Sequence, residues 1–292
     1  MNGNKKRMMV RRIVDICMTI LLLCLMAYQV TGEEAHEWIG MVMTVLVIVH
    51  QILNRSWYGA IFKGKYNVYR TLVTAVDIVL LVSFALTAFC GMSMSGYAVP
   101  FLYGLTKVSF ARRMHLSLSH WAFVLMGLHL GLHIPVMTGR WKLSEGKKNL
   151  ILAAFCCAAG FGLFFFLRNK MPDYLFFRVP FAFLDYEKPA FLVFLENLLM
   201  MVFWAFLGAQ GASLCRNVYR RKTNRKNPLL PVVFMMAAVI LGLALNMLFS
   251  SGDVQNITNT DWASTQEVAM EETERAPTAA ASLWLDENGI ER

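Results

Sequence analysis

Seven long apolar runs constrain this chain more than any other feature. Each is long enough to cross the roughly 30 Å hydrocarbon core of a bilayer as a helix. Inside lipid, every backbone amide must be bonded within its own segment, so each run is predicted to be a helix. The chain is therefore predicted to be an all-α integral membrane protein with about seven transmembrane helices. The runs are Ile13 to Val30, Trp38 to Leu53, Thr71 to Met94, Met114 to Met137, Asn149 to Leu167, Phe191 to Leu214 and Leu229 to Phe249.

Basic residues are distributed unevenly between the two ends of these helices. Nineteen of the 28 lysines and arginines lie at the N-terminus or in loops on its side, and nine lie on the other side. Because short basic loops remain in the cytoplasm, a cell-membrane protein with a cytoplasmic N-terminus and an extracytoplasmic C-terminal tail is predicted. Topology and attraction to anionic lipid explain the net charge of +9, so no nucleic-acid partner is predicted.

The runs divide the chain into four parts. Residues 1–12 form a basic N-terminus, residues 13–145 contain the first four helices, and residues 146–250 contain three more. Residues 251–292 carry nine acids and two arginines, and this composition predicts a mostly disordered, acidic tail. The stretch TGEEAHE is predicted to be an outer loop between the first two helices. Gly127 and Gly131 predict close packing of the fourth helix against another helix.

Histidine is confined to two of the predicted helices. All six residues lie in the second and fourth runs or at their outer ends. An ionisable residue inside a membrane is costly and is a functional candidate. A cross-helix hydrogen bond explains a single such histidine well, but six on two helices favour a set of ligands. The six are His36, His50, His115, His120, His129 and His133.

The histidine spacing predicts two ligand pairs. His36 and His50 are 14 residues apart, as are His115 and His129. At about 100° per residue, the second side chain returns to within about 40° of the first, roughly 21 Å further along the axis. The second and fourth helices are predicted to run parallel. His36 would then face His115 near the outer surface, and His50 would face His129 near the inner one.

Two observations favour non-covalent haem at these pairs. The sequence has no C-x-x-C-H motif, which covalent haem attachment uses. Zinc and non-haem iron sites recruit several ligands at one level, often with carboxylates, whereas these histidines form two levels and the membrane acids are expected elsewhere. Two b-type haems are therefore predicted in a core formed by the first four helices, with His36, His50, His115 and His129 as axial ligands.

Residues close to the pairs are predicted to have different roles. His133 lies four residues after His129 on the same face, where it either replaces His129 as ligand or bonds a haem propionate. His120 points about 140° from His115 and about 180° from His129, which predicts a structural role. Arg112, one turn before His115, is placed to neutralise propionates of the outer haem, and an interfacial anchor is the alternative.

Two acids interrupt the predicted membrane helices. Asp77 lies in the third helix and Glu196 in the sixth. Each is a candidate for a proton relay or a quinol site, because quinol oxidation must release protons. The alternative for each is a hydrogen bond to a neighbouring hydroxyl or amide, such as Thr74 or Asn197.

Three stretches resemble the flavinylation-associated cytochromes. These stretches are HEWIGMVMTVLVIVHQILNRSWY, SFARRMHLSLSHWAFVLMGLHLGLH and VPFAFLDYEKPAFLVFLENLLMM, and the likeness covers roughly Arg11 to Leu214. The resemblance implies a membrane b-type cytochrome that serves extracytoplasmic electron transfer, often beside proteins carrying covalently bound FMN. His120 falls where relatives are expected to carry an aromatic residue. Five histidines fall on the family's histidine positions, namely His36, His50, His115, His129 and His133.

The predicted function follows from the ligand pairs and this resemblance. The chain is expected to be an electron-transfer subunit of a respiratory oxidoreductase system, passing electrons from quinol or a cytoplasmic-side donor to an extracytoplasmic flavinylated protein. It lacks the partners' flavin-attachment pattern, an Asp-Gly followed by small residues and a threonine, so it is not expected to carry the flavin itself. The alternative is a polytopic transporter or proton channel that uses histidines as relays. Such a transporter predicts broken helices or inverted repeats.

Overall fold

The computed structural model describes residues 3–64, 66–138 and 144–220 of the chain. The described residues contain eight α-helices and one short 3-10 turn, and they contain no strand. The prediction of an all-α chain is therefore confirmed for this part of the molecule. The α-helices are α1 Gly3–Met26, α2 Tyr28–Leu53, α3 Ser56–Ile61, α4 Val68–Met92, α5 Val108–Thr138, α6 Glu145–Arg168, α7 Met171–Leu175 and α8 Ala190–Arg220.

Four of these helices, α2, α4, α6 and α8, are long and apolar enough to cross a membrane. Their outward surfaces suit lipid, since large apolar side chains such as Ile48, Ile52 and Val82 are exposed. The first and fourth predicted helices correspond to α1 and α5. The seventh predicted helix, Leu229 to Phe249, and the acidic tail from residue 251 lie outside the described residues.

The connection between α1 and α2 differs from the predicted outer loop. Helix α1 ends at Met26 and α2 begins at Tyr28, so the stretch TGEEAHE is almost entirely helical. Its one interruption is Gly32, with φ 74° and ψ 173°. Glycine adopts this backbone conformation without a steric penalty because it has no Cβ. The loop was predicted because these residues are polar. A helix end tolerates polar residues where it leaves the apolar region, so polarity alone does not indicate a loop.

Helix α5 lies at the centre of the packing. It packs most extensively against α8 and also contacts α4 and α7, while α6 covers the other side of α8. Helix α1 packs against α2 and α8, and α2 contacts α4. The most deeply buried large side chains include Phe123 of α5 and Phe206 of α8. The helix that carries four of the six histidines is thus the one held most firmly by its neighbours.

Small residues allow α5 and α8 to approach closely. A Cβ atom on Gly127 would lie 2.6 Å from Cβ of Trp204, and one on Gly131 would overlap the backbone of Ala205. On the facing helix, a Cβ atom on Gly208 would lie 2.5 Å from the carbonyl oxygen of Leu128. Real Cβ atoms do not tolerate such distances, so these positions need glycine. The predicted role of Gly127 and Gly131 in close helix packing is confirmed.

Candidate functional site

Contacts between helices place the histidines at two levels. Helix α4 runs antiparallel to α5, since Thr87 contacts His115 near one end of the pair and Asp77 contacts His129 near the other. The start of α2 contacts the chain just after α4, through Glu37. Helices α2 and α5 therefore run parallel, as predicted. We call His36 and His115 the upper pair, and His50, His129 and His133 the lower group.

The two rings of the upper pair face each other across α2 and α5. Their centroids are 6.0 Å apart and their planes are inclined by 76°. Two imidazoles that bind one metal ion from opposite sides, at about 2.0 Å from nitrogen to metal, hold their centroids about 6 Å apart. His36 and His115 could therefore hold one metal ion, such as the iron of a haem, between their rings.

The ring nitrogens of the upper pair are also suited to binding an additional group. Nδ1 of His115 lies 2.9 Å from the carbonyl oxygen of Thr87, and donating this hydrogen bond leaves Nε2 as the acceptor nitrogen. Nδ1 of His36 is buried and makes no hydrogen bond to the described residues, although the backbone of Leu25 lies near the ring. Leaving a buried polar atom unpaired costs about 1–3 kcal/mol, which a bound group could offset.

Two further residues determine how the upper pair is positioned. A Cβ atom on Gly91 of α4 would lie 3.1 Å from Cε1 of His115, so this glycine lets the ring lie against α4. Glu37, next to His36, accepts hydrogen bonds from Oγ of Ser95 at 2.7 Å and from the backbone N–H groups of residues 96–98 at 2.8–2.9 Å. These four bonds tie α2 to the chain after α4 and so hold His36 in place.

The lower group is built on carboxylate–imidazole pairs. Oδ1 of Asp15 in α1 accepts from Nδ1 of His50 at 2.8 Å, and Oδ1 of Asp77 in α4 accepts from Nδ1 of His129 at 2.8 Å. A carboxylate on one ring nitrogen orients the ring and leaves the other nitrogen for a metal. In His50 this other nitrogen, Nε2, lies 3.4 Å from Nδ2 of Asn54, a long contact that a bound metal would displace. The expectation that membrane acids lie away from the histidines is therefore wrong. The expectation was based on the segment in which each acid lies, whereas the contact depends on the face of the helix that the acid occupies.

The lower group does not repeat the geometry of the upper pair. The nearest ring to His129 is His133, with centroids 4.8 Å apart, and no ring contact joins His50 to His129 in the part of the chain that the structure describes. Ligand atoms of Asp77, His129 and His133 lie within 4.8 Å of one another. Three such ligands at one level could bind a metal ion directly, so Asp77, His129 and His133 are candidate metal ligands.

Arg112 lies in α5, one turn before His115 of the upper pair. Its side chain is exposed, and it is close enough to act electrostatically on the Tyr28 hydroxyl. The Tyr28 ring in turn packs edge-on against His36, with centroids 5.1 Å apart. This position suits a cation that would meet an acidic group at the edge of a cofactor bound between His36 and His115.

Glu196 forms a separate buried ion pair near the start of α8. Its Oε2 accepts hydrogen bonds from Nζ of Lys188 at 2.5 Å and from Nδ2 of Asn169 at 2.9 Å. Its Oε1 is buried and has no partner among the described residues. These partners connect the end of α6 to the start of α8. They differ from Asn197, the neighbour considered in the sequence analysis, and they include no histidine.

His120 lies on a different face of α5 from the upper pair. Its ring stacks on Tyr174 of α7, with centroids 4.6 Å apart and an inclination of 17°. Its Nδ1 donates to the carbonyl oxygen of Leu116 at 2.7 Å, within its own helix. Burial raises the pKa of the Tyr174 phenol, so this ring stays neutral. His120 therefore helps to dock α7 on α5, in agreement with its predicted helical angle.

Replacing His120 by phenylalanine is expected to leave the upper pair and the lower group intact. Phenylalanine preserves stacking on Tyr174 and loses one local hydrogen bond, which is worth about 0.5–1.5 kcal/mol. A thermal melt should therefore show only a small decrease in stability, and the absorption spectrum should be unchanged. If the His120→Phe variant folds but loses the absorbance of a haem, the structural role of His120 is contradicted.

Sequence reasoning missed three of the groups that position the histidines. Asp15, Glu37 and the Thr87 carbonyl each contact a ring or hold its helix. Asp15 left a visible signal, since it is an acid within the first apolar run. A backbone carbonyl leaves no such signal in the sequence.

No family model, curated protein or solved structure matches the chain.

Proposed function

We propose that this chain is a membrane electron-transfer protein that holds two b-type haems between α2 and α5. His36 and His115 bind one iron, and His50 binds the other together with His129 or His133. The observation that carries this proposal is the upper pair, with two imidazoles facing each other 6.0 Å apart. When bound, haem supplies reversible one-electron chemistry at its iron.

The residues of the chain hold and orient these groups. Thr87 fixes the tautomer of His115, and Asp15 and Asp77 fix those of His50 and His129. Arg112 offers a positive charge one turn before His115.

The proposed partners follow from the resemblance to the flavinylation-associated cytochromes. Seven helices, including Leu229 to Phe249, would place the N-terminus in the cytoplasm and the tail outside. Two haems at different depths would connect a quinol or cytoplasmic-side donor to an extracytoplasmic FMN-carrying protein. Asp77, bonded to His129, and Glu196, paired with Lys188, remain the candidate groups for quinol-linked protons.

A proton channel or transporter is the second candidate, and the lower group favours it. Asp77, His129 and His133 form a carboxylate–imidazole chain of the kind that relays protons. The upper pair argues against it, because no carboxylate contacts either of its rings among the described residues. The break in α2 lies at Gly32, close to the helix end, whereas transporters break helices near the midplane.

Haem content tests the proposal directly. The full chain, purified from haem-replete cells, is expected to show a reducible b-type spectrum and about two haems per chain by pyridine haemochrome analysis. Acid-acetone should extract them, because the chain has no covalent attachment motif. The matched control is the His36→Ala, His50→Ala double variant, which should lose absorbance while remaining helical. A colourless wild-type protein would favour the channel.

A further inference from the structure

We propose that Asp15 and Asp77 make the two iron sites unequal, so that the lower group has the lower redox potential and a single electron on the protein resides at the upper pair. This inference rests on the proposed function. It concerns two carboxylates that act through the histidines they contact, so both are positioning residues.

The lower group carries negative charge directly on its ligands. Asp15 and Asp77 each place a carboxylate oxygen 2.8 Å from Nδ1 of a histidine. A carboxylate that accepts this hydrogen bond raises the basicity of the imidazole. A more basic ligand and a nearby negative charge stabilise the ferric ion more than the ferrous ion, which has one positive charge fewer. The reduced state is therefore disfavoured at the lower group.

The upper pair lacks such charges on its rings. His115 donates to the Thr87 carbonyl, which is neutral, and Nδ1 of His36 has no partner among the described residues. Glu37 follows His36 in the chain, but its carboxylate already accepts four hydrogen bonds from Ser95 and residues 96–98. The charge of Glu37 still acts electrostatically on His36, but it is shared among these donors and does not contact the ring, whereas Asp15 and Asp77 contact theirs directly.

One arginine acts near each site. Both positive charges favour the reduced state, so the one near the lower group reduces the difference in potential and the one near the upper pair increases it. Arg216 acts electrostatically on His133 and therefore opposes the carboxylates of the lower group. Its guanidinium carbon lies 4.5 Å from the centre of the Tyr69 ring, whereas both carboxylates are in direct contact with ligands. Arg112 acts electrostatically on Tyr28, whose ring packs against His36, and a positive charge there favours the reduced state of the upper site. The sum of these charges separates the two sites.

Exposure predicts which carboxylate has the larger effect. The side chain of Asp77 is 14% exposed and that of Asp15 is 48% exposed. A charge with less access to solvent is less screened, so it acts more strongly on its neighbours. Asp77 is therefore expected to contribute more than Asp15.

Potentiometric titration of the full-length holoprotein tests the inference. Asparagine keeps a carbonyl oxygen that accepts from the histidine and removes only the charge. We expect two waves in the wild type, with the more negative wave retained in His115→Ala. Asp77→Asn should shift this wave to more positive potential, Asp15→Asn should shift it less, and the other wave should stay in place. Asp173→Asn, which removes a carboxylate beside Arg178, is the control and should shift neither wave.

The possible results separate this inference from the proposed function. A protein without haem would overturn the proposed function. If the wild type holds two haems but His115→Ala retains the more positive of the two waves, only the inference is overturned. The same holds if neither asparagine variant shifts a wave. Loss of the lower haem in both variants would also overturn it, because the carboxylates would then be needed for binding and would not set the potential.

Discussion

Under the proposed function, replacing His115 by alanine is expected to lower the haem content from about two per chain to about one. The upper pair would lose the ring that faces His36, and alanine cannot bind iron. The lower group should be unaffected, because His129 lies 14 residues further along α5, or roughly 21 Å. Pyridine haemochrome analysis gives the stoichiometry, and the remaining spectrum should still be of the b type.

The matched control for this experiment lies on the same helix. His120 is also a histidine of α5, but its ring stacks on Tyr174 and contacts neither site. His120→Phe should keep two haems per chain. Loss of both haems from a folded His115→Ala protein would show that the two levels do not bind independently, and the two-level assignment would then be wrong.

Replacing Gly131 by leucine is expected to prevent α5 and α8 from packing. Even a Cβ atom at this position overlaps the backbone of Ala205, and leucine adds three more carbon atoms. Overpacking a well-packed core costs typically about 1–3 kcal/mol, and here the clash is with backbone, which cannot rotate away. We expect a loss of more than about 3 kcal/mol, out of the roughly 5–15 kcal/mol that stabilise a folded domain. Little folded protein should be recovered in detergent.

Gly146→Ala is the control for the glycine experiment. Gly146 lies in the first turns of α6, and a Cβ atom there would meet nothing within 4 Å. Alanine is the better helix former by about 0.8–1.0 kcal/mol, so this variant should be as stable as the wild type or slightly more so. Thermal melts followed by circular dichroism would compare the two variants. A Gly131→Leu protein as stable as Gly146→Ala would contradict the close packing of α5 on α8.

The carboxylate pairs change how the histidines are interpreted. A histidine that faces another histidine, with a carbonyl on its second nitrogen, is suited to hold a group between the two rings. A histidine with a carboxylate on that nitrogen is oriented in the same way, but it also carries negative charge. Asp15 and Asp77 therefore give the lower group a different electrostatic character from the upper pair.

Much of the fold could be predicted from the sequence because its determinants are local. Hydropathy over some 20 residues identifies a helix that suits lipid, and each of the six predicted helices within the described residues corresponds to an observed helix. Only the bounds differ, since the first run crosses Ala27 into α2 and the third extends two residues beyond α4. The histidine levels were predictable for the same reason, since helical periodicity relates residues on one helix without reference to any other. The helix boundary at TGEEAHE was not, because a single glycine allowed the chain to turn within helical structure.

Only the tertiary structure decided which groups the histidines contact. Asp15 and His50 are 35 residues apart, Thr87 and His115 are 28 apart, and Asp77 and His129 are 52 apart. Each contact depends on how one helix is rotated against another, and that rotation is set by packing over the whole interface. Sequence periodicity shows which residues share a face of one helix. Which neighbouring helix packs on that face is determined by the fit of side chains and backbones between the helices.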